Sequence, residues 1–276
     1  MKHNDCSVEC IGSFADVSLW EIDNPIGSSS SNLGKWRGSV LGNDAVIVAR
    51  ELHNCGVNAK CHLLDPTDSD LVAVSSVLGP DAVVAVGGRA GEVTRSLCIE
   101  DEVSRRSWIF SRVPAPSGTL AKMDSDFVYV DYYPEFIEFL NQHLQHLEST
   151  ARRVIVNLSA LSPSREIPSL TIRPLIVQAS VPRDVSVSEA IKFATQLREI
   201  TAAQKALVTM GPRGAVLAIG TESWHCDMSS SENKTILGAG AVFSSEVIIG
   251  ISKGLDQLEL LESSVRSTAL RLKSLK

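Results

Sequence analysis

The residues best suited to chemistry lie near the end of the chain, at 235–243, where the sequence reads Thr-Ile-Leu-Gly-Ala-Gly-Ala-Val-Phe. A small-residue turn that opens a helix leaves backbone N–H groups and the positive end of the helix dipole facing outward, which favours an anion. Gly238 and Gly240 let the backbone approach a phosphate closely. The pattern predicts an anion site at Gly238, Ala239 and Gly240, with a glycine-eased helix start as the plain structural alternative.

The same stretch lacks a proton acceptor. It contains no Asp, Glu or His, so it offers no side chain that takes a proton from an attacking hydroxyl. Two acids in the preceding loop, Asp227 and Glu232, are the alternatives that could reach in, whereas Glu246 lies five positions after Ala241 and points away from it.

The composition narrows the class of protein. The 276 residues are 44% hydrophobic and carry a net charge of −6, which is typical of a globular protein and argues against nucleic acid as a partner. The apolar runs fall short of the ~20 residues of a membrane span, and the first residues form no apolar signal core. We therefore expect no membrane partner and a cytoplasmic location. The six cysteines are dispersed, so we expect reduced thiols and no metal site.

Strand-like and helix-like segments alternate along the chain, which predicts a mainly parallel sheet covered on both faces. Residues 24–42, rich in Ser, Gly and Pro, are typical of a loop or flexible lid, and 93–112 resembles a β-hairpin. The predicted strands are 7–12 (continuing over 14–20), 59–64, 82–86, 127–130, 154–156, 175–177, 206–209, 215–219 and 222–226. The predicted helices are 45–55, 68–77 (capped by Asp68 or Ser69), 134–147, 187–200, 240–253 and 255–275.

Four segments carry a resemblance to a known family. The turn at 238–240, followed by Phe243, Gly250 and 253–254, is similar to the C-terminal signature of the ribokinase (PfkB) family of sugar and nucleoside kinases. Residues 208–217 (VTMGPRGAVL) resemble that family's segment beneath the nucleotide. Residues 42–49 (GNDAVIVA), ending at Gly56, resemble its substrate element, and 11–16 resemble its opening strand. The order and spacing match over nearly the whole chain.

The resemblance implies a three-layer α/β/α ribokinase-like fold with a mainly parallel sheet and a small β-lid. It implies one domain over 1–276, with lid elements within 14–42 and 93–112 that pair two copies into a homodimer. It also implies ATP and Mg²⁺ as cofactors and a sugar-like or nucleoside-like small-molecule ligand. The nucleotide-binding residues it implies are Thr209, Gly211, Gly214, Gly238, Ala239 and Gly240. The substrate-binding residues it implies are Asp16, Gly42, Asn43 and Asp44.

Several of these residues have structural alternatives. Asp16 is suited to bind substrate hydroxyls, because a carboxylate accepts two hydrogen bonds, or it is a surface charge after the first strand. Asp44 is a substrate contact or the N-cap of the helix that follows. Gly211 and Gly214 are turn residues at least as readily as ligand contacts.

The chain departs from the family pattern where the chemistry should be. The family's catalytic Asp corresponds to Ala241, so we assign no catalytic base, and the acid that helps organise Mg²⁺ corresponds to Arg183, so we assign no metal ligand. Other departures are Thr235, Leu237, Asn43, Ile47 and the pair Ser245 and Glu246. Three hypotheses follow: a weakly active or inactive kinase homologue (a pseudokinase candidate), an active carbohydrate kinase with a relocated base, and a non-catalytic regulatory or partner-binding protein.

Overall fold

A nine-stranded, mostly parallel sheet separates two layers of helices. The computed structural model describes residues 6–22, 34–87, 95–100, 106–110, 116–133, 136–150, 153–161, 163, 166–228 and 237–274. In spatial order the strands of this large sheet are β13 (Glu222–Cys226), β12 (Ala215–Ile219), β11 (Lys205–Thr209), β10 (Ile176–Ser180), β9 (Val154–Ala160), β8 (Phe127–Asp131), β1 (Ser7–Gly12), β4 (Asn58–Leu64) and β5 (Val83–Val86). Among these strands only β12 runs opposite to the others, because it pairs antiparallel with both β11 and β13.

Each face of the large sheet packs against its own helices, because successive side chains of a buried strand point to opposite sides. One face meets α1 (Asp44–Asn54), α2 (Asp68–Leu78), α5 (Ala239–Ser252) and α6 (Gln257–Ser274). The other meets α3 (Ile137–Thr150) and α4 (Val187–Ile200). This is the expected α/β/α arrangement. Among the described residues, no helix combines the length and apolar character needed to cross a membrane.

The helices begin where the local sequence satisfies their first amides. A capping box formed by Ser186 and Glu189 starts α4, whose predicted bounds are confirmed. A second capping box, formed by Thr67 and Asp70, starts α2, so the prediction of Asp68 or Ser69 as its cap was wrong by one or two residues. The helix predicted from residue 134 begins at Ile137 as α3.

A separate four-stranded sheet, which we call the small sheet, has the order β3 (Gly34–Leu41), β2 (Asp16–Ile22), β6 (Arg95–Glu100) and β7 (Arg106–Phe110). The predicted continuation of β1 over 14–20 was therefore wrong, since β2 leaves the large sheet. Residues 34–41 are a strand and not the predicted loop, while 24–33 lie outside the described residues. The Trp20 ring covers Gly34, so pairing between strands stabilises a segment whose composition suggests a loop.

The turn at 211–214 depends on glycine. Gly214 has φ +85°, and a Cβ there would lie 1.8 Å from the Cys226 carbonyl oxygen. We expect Gly214→Ala to lower the free energy of unfolding by about 3 kcal/mol or more, because both backbone strain and overpacking oppose it. Gly220→Ala is the matched control, since Gly220 has φ +57° but open space around it, and should cost about 1 kcal/mol. Equal losses in urea denaturation would contradict the close-approach argument.

Candidate ligand cleft at the carboxyl ends of the parallel strands

A row of polar side chains crosses four neighbouring strands toward their carboxyl ends, on the face covered by α1 and α5. Its members are Asp131 (β8), Asn157 (β9), Gln178 (β10) and Thr209 (β11). The first three are at most 2% exposed. Each lies two residues after an apolar residue that faces α1 and α5, so strand alternation directs all four to the same side. Carboxyl ends of parallel strands are where ligands bind in open α/β sheets.

The predicted anion site sits above this row, at the start of α5. Gly238 adopts the left-handed conformation (φ +81°, ψ +1°), and its carbonyl accepts the first helical hydrogen bond from Val242 N–H at 3.0 Å. The amides of Ala239, Gly240 and Ala241 precede that bond and belong to the group that a helix leaves without internal partners. The first turn of α5 contains no acidic residue, so the positive end of the dipole is not neutralised there.

The floor beneath the turn is polar but uncharged. The Gly240 carbonyl accepts hydrogen bonds from Gln178 Nε2 (3.3 Å) and Ser244 Oγ (3.0 Å). The Ser180 and Thr209 hydroxyls share a hydrogen bond of 2.7 Å, and Ser180 Oγ would lie 3.9 Å from a Cβ on Gly240. Thr209 therefore lies beside the turn. Uncharged hydroxyl and amide groups can donate hydrogen bonds to an anion, and they carry no negative charge that would repel it.

The other two predicted nucleotide-side residues follow β11. Gly211 opens a short 3-10 helix, Gly211–Arg213, and the Gly214 carbonyl accepts the Met210 amide at 2.8 Å. Both glycines have positive φ, so the turn itself requires them. Their role as ligand contacts stays a prediction.

A pair of carboxyl groups lies farther along the row. Asp131 Oδ2 accepts the Asp44 backbone N–H at 3.1 Å. Asn157 Nδ2 bridges the pair, donating to Asp44 Oδ2 at 2.8 Å and to Asp131 Oδ1 at 3.4 Å. Asp131 is fully buried, whereas Asp44 is half-buried at the first position of α1. The N-cap of α1 is Asn43, so the interpretation of Asp44 as the cap was wrong.

Burial raises the pKa of both carboxyl groups. The pKa of Asp131 is raised well above 3.8, first by burial and then by the neighbouring Asp44. The pKa of Asp44 is also raised by burial, against the opposing effect of its hydrogen bond from Asn157. Two close carboxyl groups with raised pKa values titrate as a unit and favour a state that keeps one proton between them.

The remaining substrate-side predictions meet where the two sheets join. Asp16 is the exposed first residue of β2, and Gly42 N–H donates to the Ala15 carbonyl at 3.0 Å. A Cβ on Gly42 would lie 2.2 Å from Val17, so only glycine permits this crossing. Asn43, with φ +72°, donates from Nδ2 to Ser13 Oγ. The structure thus brings Asp16, Gly42, Asn43 and Asp44 to one junction.

The anion turn and the acidic pair lie close together at the starts of α5 and α1, and we call the region between them the cleft. A Cβ on Gly238 would lie 3.0 Å from Ile47 Cδ1, and Ile47 is one helical turn after Asp44 on α1. Leu237, just before the turn, packs against Ala15 and Val17 at the base of the small sheet. One side of the cleft therefore offers amides at a helix start and the other offers carboxyl groups.

Ala241, where the sequence resemblance predicts the position of a catalytic base, carries no polar group. Ala241 has no exposed surface and packs in the apolar core. Glu246 is buried on α5 and forms an ion pair with Arg271 of α6, so it does not serve the turn. Asp227 is 81% exposed at its side chain, with Oδ1 3.6 Å from His225 Nε2. Glu232 and Thr235 lie outside the described residues.

A magnesium ion held by the protein does not fit the described residues. No three His, Cys, Asp or Glu side chains among them lie together in a metal-binding group. The floor of the anion turn consists of amide and hydroxyl groups, and Arg183 stands just after β10. Mg²⁺ is usually held by one or two carboxylates together with substrate phosphates. The described groups beneath the turn include no carboxylate, so we derive no step through a protein-bound metal.

Asp131, Asn157, Gln178 and Tyr129 were missed by the sequence reasoning. The signal was a polar residue directly after a run of strand-forming residues, as in the sequences FVYVD, VIVN and IVQ. Tyr129 is fully buried, and its pKa is raised well above 10.0 by burial and then by Asp131 and Asp44. In a sheet buried on both faces, such polar residues at strand ends are functional candidates.

No family model matches the chain, and no curated protein matches it. Solved structures do match. They include ribokinase from Cryptococcus neoformans var. grubii with ADP (15% identity, 96% of this chain and 92% of that chain, TM-score 0.71). A second match is phosphofructokinase-2 from Escherichia coli with fructose-6-phosphate (14% identity, 96% of this chain and 93% of that chain, TM-score 0.65). A third is ribokinase from Thermotoga maritima (14% identity, 96% of this chain and 92% of that chain, TM-score 0.65). These likenesses show that the chain has the fold of the ribokinases and of phosphofructokinase-2.

Proposed function

We propose that this chain binds the phosphates of ATP at the turn of Gly238, Ala239 and Gly240 and a sugar-like or nucleoside-like molecule beside Asp44. The observation that carries the proposal is the cleft itself, in which an unneutralised helix start over an uncharged floor borders a pair of carboxyl groups. Amides suit phosphate oxygens, and carboxyl groups suit hydroxyls. The matched structures with ADP and with fructose-6-phosphate support a nucleotide and a sugar as the ligand classes.

We further propose that phosphoryl transfer is slow or absent. Phosphoryl transfer depends mostly on positioning and charge stabilisation, so loss of the base at Ala241 need not remove all activity. General-base catalysis contributes roughly 10²–10⁴-fold. A side chain that is fully buried and apolar contributes none of it.

One observation favours an active kinase with a relocated base. Asp44 is half-buried beside the cleft and its pKa is raised, which brings a carboxyl group closer to the range of an effective general base. In that case turnover falls as pH drops below the pKa of Asp44, and Asp44→Asn abolishes the fall. A pH–rate profile of both proteins measures this.

The experiment that tests the proposal has two parts. Thermal shift with ATP and Mg²⁺ tests binding, and we expect a rise in melting temperature at millimolar ATP. A panel of sugars and nucleosides with ATP tests transfer, and we expect turnover well below about 1 s⁻¹, the low end for kinases. No thermal shift contradicts nucleotide binding, whereas turnover near that rate contradicts the degenerate site.

Restoring the missing acid should fail to restore ordinary catalysis. We expect Ala241→Asp to stay far below the rate of a working kinase, because it introduces a carboxylate into a fully buried, apolar position and the other family positions remain altered. It should also lower the free energy of unfolding by about 1–3 kcal/mol. Ala239→Asp, on the half-exposed residue of the same turn, is the control for added charge. Rescue to about 1 s⁻¹ would show that the rest of the site is intact.

We also propose that the small sheet pairs two copies of the chain. Its outer face exposes apolar side chains, with Trp20 37%, Trp36 58% and Ile109 57% exposed. Strand register places these three on one face, so they form a contiguous surface suited to a partner. Sedimentation of the purified protein decides between monomer and dimer. A dimer without ATP binding would favour the non-catalytic, partner-binding hypothesis.

A further inference from the structure

The carboxyl pair in the cleft is satisfied by neutral donors. Asp131 accepts from the backbone amide of Asp44, and the Asn157 side chain donates to both carboxyl groups. Neither carboxyl group has an ion pair with a lysine, arginine or histidine of the described residues. Other acids do form such pairs, among them Glu9, Glu21, Glu51, Glu199, Asp227 and Glu246. Within the part of the chain that the structure describes, no cation therefore compensates the negative charge of the pair.

A second observation points to a ligand at this place. Tyr129 lies on the same face of β8 as Asp131, two residues before it, and is fully buried. Its hydroxyl lies beside the Ser244 hydroxyl but forms no hydrogen bond of ordinary geometry among the described residues. The nearby Ser244 hydroxyl is engaged by Gln178 and Gly240. A buried hydroxyl without a partner is costly, and a bound hydroxyl-bearing molecule or a water would satisfy it.

We propose that the molecule held beside Asp44 and Asp131 is an uncharged, hydroxyl-rich compound, and that its phosphate ester is rejected. This inference rests on the proposed function and narrows its substrate class. An uncharged polyol donates hydroxyl protons to the carboxyl oxygens and loses little in doing so. A phosphate group brings negative charge toward a pair that no cation of the described residues compensates, so Coulomb repulsion opposes it in a cleft of reduced dielectric.

The test compares matched ligands by calorimetric titration at about pH 7.5, where free carboxyl groups are ionised. The probes are D-fructose, D-ribose and uridine, each beside its phosphate ester. We expect each uncharged compound that binds to do so at least roughly tenfold more tightly than its ester. In Asp44→Asn the difference in affinity between parent compound and ester should shrink to about threefold or less. The half-buried carboxyl group of the pair is then gone, and burial favours the protonated form of the remaining Asp131.

The control is Asp124→Asn. Asp124 is exposed and precedes the opposite end of β8, so its removal changes net charge equally without touching the cleft. This variant should keep the full difference in affinity between each uncharged compound and its phosphate ester. The proposal is overturned by esters that bind as tightly as the parent compounds, by a gap that Asp44→Asn leaves unchanged, or by binding of none of the six probes. In the last case a positive ATP titration would leave nucleotide binding intact, and a negative one would remove the proposed function as well.

Discussion

Asp131→Asn should be more stable than the natural protein at about pH 8, by about 1–4 kcal/mol, the range seen when poorly compensated buried charges are replaced. Asp131 is fully buried beside a second carboxyl group, and both effects raise its pKa well above 3.8. Asparagine keeps an oxygen that accepts the Asp44 amide, so the variant loses the charge while retaining the hydrogen bond at the start of α1.

The sign of the pH dependence follows from that raised pKa. A carboxyl group that binds its proton more tightly when folded contributes stability that is fully present below its unfolded pKa. That contribution is lost as pH rises through the higher folded pKa. We therefore expect the stability of the natural protein to fall from about pH 4 toward pH 8 by more than that of the variant.

Urea denaturation at several pH values measures the difference. Asp124→Asn, an exposed acid, is the control and should keep the natural pH profile. A variant that is less stable at every pH would show that the charge on Asp131 stabilises α1 by more than its burial costs. If Asp131→Asn is more stable but binds the ligand more weakly, Asp131 is a residue that serves function and not stability.

Gly238→Val should remove ATP binding, the largest functional effect that a single substitution at the turn offers. Gly238 has φ +81°, which is unfavourable for a β-branched residue, and even a Cβ would lie 3.0 Å from Ile47 Cδ1. Both effects shift the first amides of α5. We expect affinity to fall at least roughly tenfold and the free energy of unfolding to fall by about 2–4 kcal/mol.

Two further variants separate the causes. Gly254→Val places the same residue type at φ +74°, at the other end of α5 and with open space around it. It should lose stability through strain while keeping ATP affinity. Gly238→Val with Ile47→Ala removes the steric contact and should recover part of the stability but not the backbone geometry of the turn. Equal loss of ATP binding in both valine variants would argue that global destabilisation, and not the turn, is responsible.

The sequence predicts the layered fold well because its signals are local and consistent. Val187–Ile200 is both periodic and capped by Ser186 and Glu189, so prediction and structure agree. The small sheet was harder, because β3 is built from Gly34, Trp36 and Gly38 and becomes a strand only by pairing with β2. Pairing between distant segments overrides a composition that favours a loop.

For a similar reason the sequence predicted the glycine turn of the candidate site but not the row of polar residues beneath it. The glycine turn is contiguous in sequence, and Gly238 adopts the conformation that such a turn requires. The row of Asp131, Asn157 and Gln178 is assembled from three strands whose order in the sheet the sequence does not state. For Asp44 only the N-cap alternative was wrong, by one residue, because Asn43 takes the N-cap and Asp131 of β8 accepts the amide of Asp44.

Calorimetric titration of the natural protein with ATP in excess Mg²⁺, repeated on Gly238→Val and Gly254→Val, tests the central claim most directly. The account predicts one saturable site in the natural protein, a site of similar affinity in Gly254→Val, and little or no binding in Gly238→Val. No binding by the natural protein at millimolar ATP, or undiminished binding by Gly238→Val, would contradict a nucleotide-phosphate site at the start of α5.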